Sequence, residues 1–358
     1  MVLNLIVIGT NVIKMNRDNL SEREKEILAS IVQHFVLTGS PVGSRTISKK
    51  RYNELSPASI RNVMADLEEK GYLNHPHTSA GRVPTTKGYR HYVDNLISLS
   101  QLSLEERELI RENIGQFAGD LDIILDKTAQ VIAKISHQLG VILTPKFDEG
   151  ILENINIVQI ASDKILVILS IKDGIARTIL LEVRHEIKPS LLDNLSILLN
   201  ERLAGLRLRE IKFSFRDRVR DLLGDENEII RLFIDSADNL FDFERYANLK
   251  YTGTKNILSN PEFSDLQKFA ALIEMFEEKN IIIHMMERRS GSPGLQITIG
   301  DENEEKPIQE CSVITAPYRL GDVDGLVGVI GPMRMAYTRI IPVVEYTAKL
   351  ITEIFHEK

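Results

Sequence analysis

The sequence predicts an α+β fold divided into several domains. The chain has 358 residues, a length typical of two or three domains, and its 43% hydrophobic and 27% charged content is ordinary for a globular protein. Helical periodicity dominates up to about residue 143, and β-branched runs then appear on both sides of a second helical stretch. The change of period predicts an N-terminal helical part followed by a strand-rich part.

The single cysteine and the N-terminus bear on the compartment. Cys311 alone excludes an internal disulfide framework, fits a reducing cytosol, and lies in an apolar run typical of a core strand. The first fourteen residues are apolar, but they lack a basic segment and are too short to span a bilayer. We therefore expect a cytoplasmic protein without a membrane partner, in which residues 1–15 are an extension or a mis-assigned start before Met15.

Two helices are predicted at the start of the first domain. Ser21 and Glu24 form a capping-box pattern, and a helical apolar stripe follows up to about Leu37. Gly39 ends this helix. A second helix from about Ser44 carries cations placed to meet DNA phosphates, namely Arg45, Lys49 and Lys50.

A third helix is predicted to begin near Ser56, because Ser56 is a favoured cap and Pro57 a favoured first residue. One face carries a buried stripe, composed of Ile60, Val63, Met64 and Leu67. Polar residues cluster in its first turns, where a recognition helix presents side chains to base edges. The candidates for contact with DNA on this helix are Ser56, Ser59, Arg61 and Asn62.

After Gly71 the sequence predicts a basic hairpin with its tip at residues 75–88, which has the character of the wing of a winged helix. Residues 41–91 contain nine Lys or Arg and four Asp or Glu, in a chain of net charge −7. Such a hairpin alone is usually a solvated loop, but next to a helix-turn-helix pattern it favours a DNA footprint. The candidate DNA contacts on the hairpin are His75, His77, Thr78, Arg82 and Lys87.

Three blocks of this region carry a resemblance to a known family: GSPVGSRTIS, LSPASIRNVMADLEEKGYL and HPHTSAGRVPTTKGYRHYVD. They resemble the winged-helix signature of the HrcA family, the heat-inducible transcription repressors of bacteria. The resemblance implies a homodimer that binds an inverted-repeat double-stranded DNA operator, CIRCE, ahead of chaperone operons of the groE and dnaK type. It further implies that chaperonin maintains the activity, and that a GAF-like domain is interrupted by a dimerisation subdomain.

The predicted domains are a winged helix-turn-helix at 16–100, a GAF-like domain at 101–189 and 263–358, and an inserted dimerisation subdomain at 190–262. Residues 103–143 have a helical pattern. The strand-like runs INIVQIA, KILVILSI and ARTILLEV predict an antiparallel meander. GLQITIGDEN, CSVITAPYRL and GLVGVIGP predict further strands, and we expect both sets to belong to one sheet.

Other candidate sites have simpler interpretations. His75 and His77 lack a second ligand pair at the spacing of a zinc site. The run GLVGVIGP lacks the lysine of a phosphate-binding loop. The acidic run at 301–307 is expected to be a solvated hairpin loop. No catalytic constellation stands out, so we expect neither an enzyme nor a cofactor. The alternative to a repressor that acts by occupancy is a transcription regulator that senses a small molecule through the GAF-like pocket.

Overall fold

The structure is a computed structural model that describes residues 20–51, 56–76, 81–115, 121–145, 147–172, 175–183, 186–220, 228–241, 249–321 and 323–356. The chain divides into two compact units. Unit 1 comprises Met1–Ile142, Lys250–Pro317 and Val327–Ala348, and unit 2 comprises Leu143–Leu249, Tyr318–Leu326 and Lys349–Lys358. The described residues contain both helices and sheets, which confirms the α+β class; the predicted domain limits stay predictions.

The described residues form a series of α-helices along the chain. In chain order they are α1 (Glu22–Thr38), α2 (Ser44–Arg51), α3 (Pro57–Glu69), α4 (Thr86–His91), α5 (Leu104–Gly115), α6 (Leu121–Ser136), α7 (Pro189–Leu203), α8 (Leu208–Val219), α9 (Glu228–Asp235), α10 (Ala237–Leu240), α11 (Thr254–Leu258), α12 (Leu266–Glu277), α13 (Lys279–Arg289) and α14 (Tyr337–His356). One turn of π-helix, Tyr92–Leu96, extends α4.

The strands form three sheets. They are β1 (Leu73–Asn74), β2 (Val83–Pro84), β3 (Leu139–Leu143), β4 (Leu152–Ala161), β5 (Lys164–Ile171), β6 (Ile175–Glu182), β7 (Leu249–Thr252), β8 (Gln296–Ile299), β9 (Cys311–Leu320) and β10 (Val323–Pro332). β1 pairs with β2, the order β7-β3-β10-β9-β8 makes a five-stranded sheet, and β4-β5-β6 makes a separate three-stranded sheet.

Capping fixes the helices at the N-terminus as the sequence predicts. Ser21 and Glu24 form the expected capping box, and Gly39 ends α1 in the left-handed conformation at φ 66°. Ser56 caps α3, since its hydroxyl accepts a hydrogen bond from the backbone N–H of Ser59, and Pro57 is the first helical residue. Both predicted helix starts are confirmed.

The strands β1 and β2 form a short antiparallel pair after α3, with Leu73 opposite Pro84 and Asn74 opposite Val83. Beside them the backbones of Val42 and Arg82 exchange two hydrogen bonds, of 2.8 and 2.9 Å. The approach is close enough that a Cβ on Gly81 would lie 2.5 Å from the carbonyl carbon of Val42. The segment between α1 and α2 is therefore fixed to the hairpin at the residue that precedes β2.

The prediction that both strand sets share one sheet is wrong. Among the described strands, β4, β5 and β6 pair with one another and not with the five-stranded sheet, and residues such as Ile157, Val167 and Ile179 stand side by side in register. The three runs follow one another closely in the sequence, so they satisfy each other's backbone hydrogen-bonding groups locally, and α7 packs along β4. The strands β4, β5 and β6 therefore do not need to pair with the later strands β8, β9 and β10.

Two further sequence interpretations need correction. The predicted helical region 103–143 ends in a strand, because the run LGVIL forms β3, and a short apolar run does not by itself distinguish strand from helix. The acidic run 301–307 lies in the connection of the β8–β9 hairpin, as predicted, but it is not simply solvated. It forms 3₁₀ turns around the buried Asn303, whose side-chain NH₂ donates to backbone carbonyls.

The expected core positions are otherwise observed. GLVGVIGP lies within β10, as predicted, and Cys311 is fully buried in β9. Burial raises the pKa of the Cys311 thiol to about 12. This thiol is therefore a small apolar core residue at neutral pH.

An ion pair between α1 and the end of α3 gives a pH-dependent contribution to stability. Burial raises the pKa of Glu24, but the Lys70 ammonium at 2.6 Å and the hydrogen bonds from Ser21 outweigh it, so the pKa is lowered. A carboxylate with a lowered folded-state pKa stabilises the fold above its ordinary pKa, and this contribution is lost as the pH falls through the folded value.

We therefore expect Glu24→Gln to lower the free energy of unfolding at pH 7 by about 1 kcal/mol, the difference between charged and neutral hydrogen-bonding groups. The difference from the wild type should shrink as the pH falls below about 4. Urea unfolding between pH 3 and 7 measures it. Glu22→Gln, in the same turn and mostly exposed, is the control and should cost much less. A loss at pH 3 as large as at pH 7 would contradict the electrostatic explanation.

Candidate nucleic-acid interface

Helix α3 separates a buried face from an exposed polar face. The predicted stripe is confirmed, since Ile60, Val63, Met64 and Leu67 are all buried. α1 and α2 pack against α3 on this side. Arg61 and Asn62 are exposed in the first turns, and Ser59 is half-buried. The first turns of α3 thus present a guanidinium and a carboxamide to solvent.

Helix α2 presents two cations beside this polar face. Arg45 and Lys49 are exposed and lie four residues apart, so they share one side of the helix. Ile47 is buried and anchors the opposite side. Neither cation has an ion pair with another described residue, and both charges are therefore available to a polyanion. The side chain of Lys50 lies outside the described residues.

Two of the predicted hairpin contacts meet at one carboxylate. The Nε atom of Arg82 lies 2.7 Å from Oε2 of Glu68, and Nδ1 of His75 contacts Oε1 of the same residue. Sequence reasoning missed Glu68, although a carboxylate in the last turn of α3, just before a cationic hairpin, is a visible signal. His77 and Thr78, the other candidates at the tip, lie outside the described residues.

Lys87 is exposed yet also makes an intramolecular contact. Its ammonium donates a 2.8 Å hydrogen bond to the backbone carbonyl of Lys70 and lies 4.4 Å from the centroid of the Tyr72 ring. A cation at the C-terminal end of a helix interacts favourably with the helix dipole. Lys87 therefore stabilises the end of α3, in addition to any contact that it makes with DNA.

The helix after the hairpin is fixed to the five-stranded sheet within unit 1. Arg90 donates from Nε to Glu302 at 2.8 Å and from a terminal nitrogen to the carbonyl of Ile297 at 2.7 Å. Burial alone would lower the pKa of Arg90, but the pairing with Glu302 raises it above its ordinary value. Arg334, which follows β10, donates to the carbonyl of Val36 at 3.0 Å and to Glu262 at 2.6 Å.

The described part of the chain offers little support for other kinds of site. No group of three or more His, Cys, Asp or Glu side chains there is arranged to hold a metal ion. Among the same residues, no helix is both long and apolar enough to cross a bilayer. The exposed polar start of α3 with the cations of α2 is therefore the site that the geometry supports best.

Comparison with known proteins finds one family, by a family model and by similar whole proteins. The family model described as "HrcA protein C terminal domain" matches residues 122–341. A protein of Chlorobium phaeobacteroides named heat-inducible transcription repressor HrcA is 40% identical, over 92% of this chain and 97% of its own length. Proteins of the same name from Syntrophobacter fumaroxidans and Geobacter sulfurreducens are 39% and 37% identical, over 95% and 94% of this chain and 98% of each relative.

One solved structure has a similar fold. It is the crystal structure of a hypothetical protein at 2.2 Å resolution, with a TM-score of 0.65 and 21% identity, over 94% of this chain and 99% of that chain. At this identity the likeness shows the fold alone. The sequence relatives, matched along nearly their whole length, decide the family. The chain belongs to the HrcA family of heat-inducible transcription repressors.

Proposed function

We propose that this transcription repressor acts by occupying an inverted-repeat DNA operator as a homodimer, without catalysing a reaction. The observation that carries the proposal is the exposed polar start of α3 beside the cations of α2. A helix N-terminus of this composition matches the hydrogen-bonding pattern of base edges in the major groove. Residues 16–100 are then a winged-helix domain in which α3 is the recognition helix and the basic hairpin is the wing.

In this proposal the candidate residues divide into two roles. Ser59, Arg61 and Asn62 contact base edges and supply specificity. Phosphate contacts supply affinity that depends on salt, and they position the helix in the groove. The proposed phosphate contacts on any DNA are Arg45, Lys49, Lys50 and Lys87, together with Ser56, His77 and Thr78 at the margins. Arg82 and His75 face Glu68, so we propose that they contact phosphate only on the operator, where base contacts offset the competition from that carboxylate.

The three-stranded sheet, which precedes the 190–262 segment predicted for dimerisation, is the face that we propose for the dimer contact. On its outer side Val158, Leu166 and Leu180 stand in one row, and Val158 and Leu180 are each about half exposed, at 49% and 50%. The neighbouring row, Asn156, Ile168 and Thr178, is also uncharged. The opposite side is buried, with α7 packed along β4.

A second copy of the chain is the occupant that we propose for this face. In a two-fold contact each residue near the axis meets its own copy, so a charge there would repel itself. The two middle rows of the sheet are apolar or neutral, which suits such a contact. A two-fold dimer also matches an inverted repeat, because each recognition helix then reads one half-site.

The resemblance also supports the remaining parts of the proposal. The operator is of the CIRCE type ahead of chaperone operons, and chaperonin maintains the active repressor. Heat shock then reduces the free chaperonin, and repression is relieved. A titration of purified repressor with chaperonin, followed by operator binding after mild heating, tests this part separately from the DNA contacts.

The phosphate contacts lead to a test on α2. We expect Arg45→Gln to weaken binding to the operator and to random DNA by a similar factor, and to flatten the log–log dependence on salt by about 0.9, the value for one lost phosphate contact. Fluorescence anisotropy across a range of salt concentrations measures both. Arg216→Gln, the same charge change at an exposed site on α8, is the control and should leave the slope unchanged. An unchanged slope in Arg45→Gln would contradict the assignment.

A further inference from the structure

We propose that Glu68 determines the specificity for the operator by positioning the hairpin. It fixes the hairpin to the recognition helix, and it restrains Arg82 from the phosphate contacts that any DNA sequence offers. This inference rests on the proposed DNA-binding function. Glu68 itself carries the wrong charge to bind DNA, so its effect acts through its two partners.

The position of Glu68 lets one carboxylate bind both arms of the hairpin. It lies in the last turn of α3, and its side chain is 24% exposed. Its oxygen Oε1 contacts His75, directly after β1, and its oxygen Oε2 faces Arg82, directly before β2. The ends of the two strands nearest the hairpin tip are thus held against the helix proposed to read the bases.

The backbone of Arg82 is fixed from another direction. Its N–H and C=O pair with Val42, and Gly81 leaves no room for a side chain at this contact. Arg82, at the tip end of β2, is therefore held at two places, by Val42 through the backbone and by Glu68 through the side chain. Loss of Glu68 would leave the backbone contact in place but would free the guanidinium of Arg82.

The contact with Arg82 is an ion pair rather than an aligned hydrogen bond. The Nε atom lies 2.7 Å from Oε2, yet this buried nitrogen has no hydrogen-bond partner of good geometry. A phosphate must compete with the carboxylate for the guanidinium, and random DNA offers no base contacts to offset that competition. Glu68 thus weakens sequence-independent binding more than operator binding, which raises the ratio between the two.

Neighbouring charges do not take the place of Glu68. Lys70 pairs with Glu24, and Glu69 is exposed on the same turn without an ion pair to a described residue. Glu69→Gln therefore removes the same charge at the adjacent position without touching the hairpin. It is a matched control for Glu68→Gln.

The experiment measures affinity for the operator duplex and for a random duplex across a range of salt. For Glu68→Gln we expect tighter binding to random DNA, a salt slope on random DNA steeper by about 0.9, and a ratio of operator to random affinity lowered about tenfold. Glu69→Gln should change both affinities by the same factor and leave the slope unchanged. Arg82→Gln in the Glu68→Gln background should restore the wild-type slope.

Arg82→Gln alone tests the same claim without altering α3, should Glu68→Gln fail to fold. We expect it to leave the slope on random DNA unchanged, because the guanidinium is already neutralised by Glu68. Identical behaviour of Glu68→Gln and Glu69→Gln would overturn the inference, as would a slope flattened by about 0.9 in Arg82→Gln alone. A wild-type protein with no preference for the operator would instead refute the proposed function, so the two failures are distinguishable.

Discussion

Leu180→Lys should convert the proposed dimer of the repressor to monomers and weaken operator binding by about 10² to 10⁴, the gain that linkage of two binding modules typically provides. Leu180 is half exposed on the outer face of the three-stranded sheet, in register with Leu166 and Val158. In a two-fold contact the new ammonium would be buried opposite its own copy, where desolvation and like-charge repulsion both oppose association. The fold of each chain should survive, because the side chain already faces solvent.

Sedimentation velocity gives the oligomeric state of this variant, and anisotropy with the full operator gives its affinity. Leu266→Lys is the control, because Leu266 is an exposed leucine on α12 and is not part of this sheet. We expect that variant to stay dimeric and to bind like the wild type. A Leu180→Lys protein that remains dimeric would exclude this face as the interface, whatever the effect on DNA binding.

Loss of base contacts gives the second large effect. Arg61→Ala and Asn62→Ala should each weaken operator binding by about 1–3 kcal/mol, as expected for a lost bidentate contact to a base. Both side chains are exposed in the first turns of α3 and make no ion pair or hydrogen bond to another described side chain. Removal of either should therefore leave the stability of the fold nearly unchanged.

Competition binding with operator and random duplexes separates base reading from phosphate contact. Arg61→Lys is the matched variant, because lysine keeps the charge but lacks the planar fork of donors. We expect Arg61→Lys to lose nearly as much operator affinity as Arg61→Ala while its affinity for random DNA stays close to the wild type. Equal losses on both duplexes would reassign Arg61 and Asn62 as phosphate contacts.

The start of α3 was predictable because its determinants are local. Ser56, Pro57 and the stripe from Ile60 to Leu67 act within one or two turns, and a sequence window contains all of them. The same holds for the capping box of Ser21 and Glu24. Cap chemistry and periodicity therefore located the proposed recognition helix without a structure.

Sheet membership was not predictable in the same way. The meander of β4, β5 and β6 was recognised from its β-branched runs, but the pairing partners of β3 are remote in sequence. The periodicity of a strand shows which residues face one side of the sheet, but it does not show which other strand pairs with it. The expectation of one sheet failed for that reason, and the run LGVIL of β3 was assigned to a helix.

In the candidate site, too, local features were predictable from the sequence and long-range contacts were not. Exposure of Arg45, Lys49, Arg61 and Asn62 follows from helical faces, which the sequence pattern indicates. The link from Glu68 to His75 and Arg82 depends on how the hairpin folds back over α3, and composition alone counts those residues only as local charge. Cationic residues near a recognition helix therefore need a structure before they are assigned to phosphate.

Hydroxyl-radical footprinting of the purified protein on DNA from upstream of its own chaperone operons tests the central claim most directly. We expect protection of two symmetric half-sites of an inverted repeat, and loss of both together in the Leu180→Lys variant at concentrations that protect the wild-type complex. Protection of a single half-site that Leu180→Lys leaves intact, or no sequence-dependent protection at all, would contradict a dimeric repressor that reads its operator through α3.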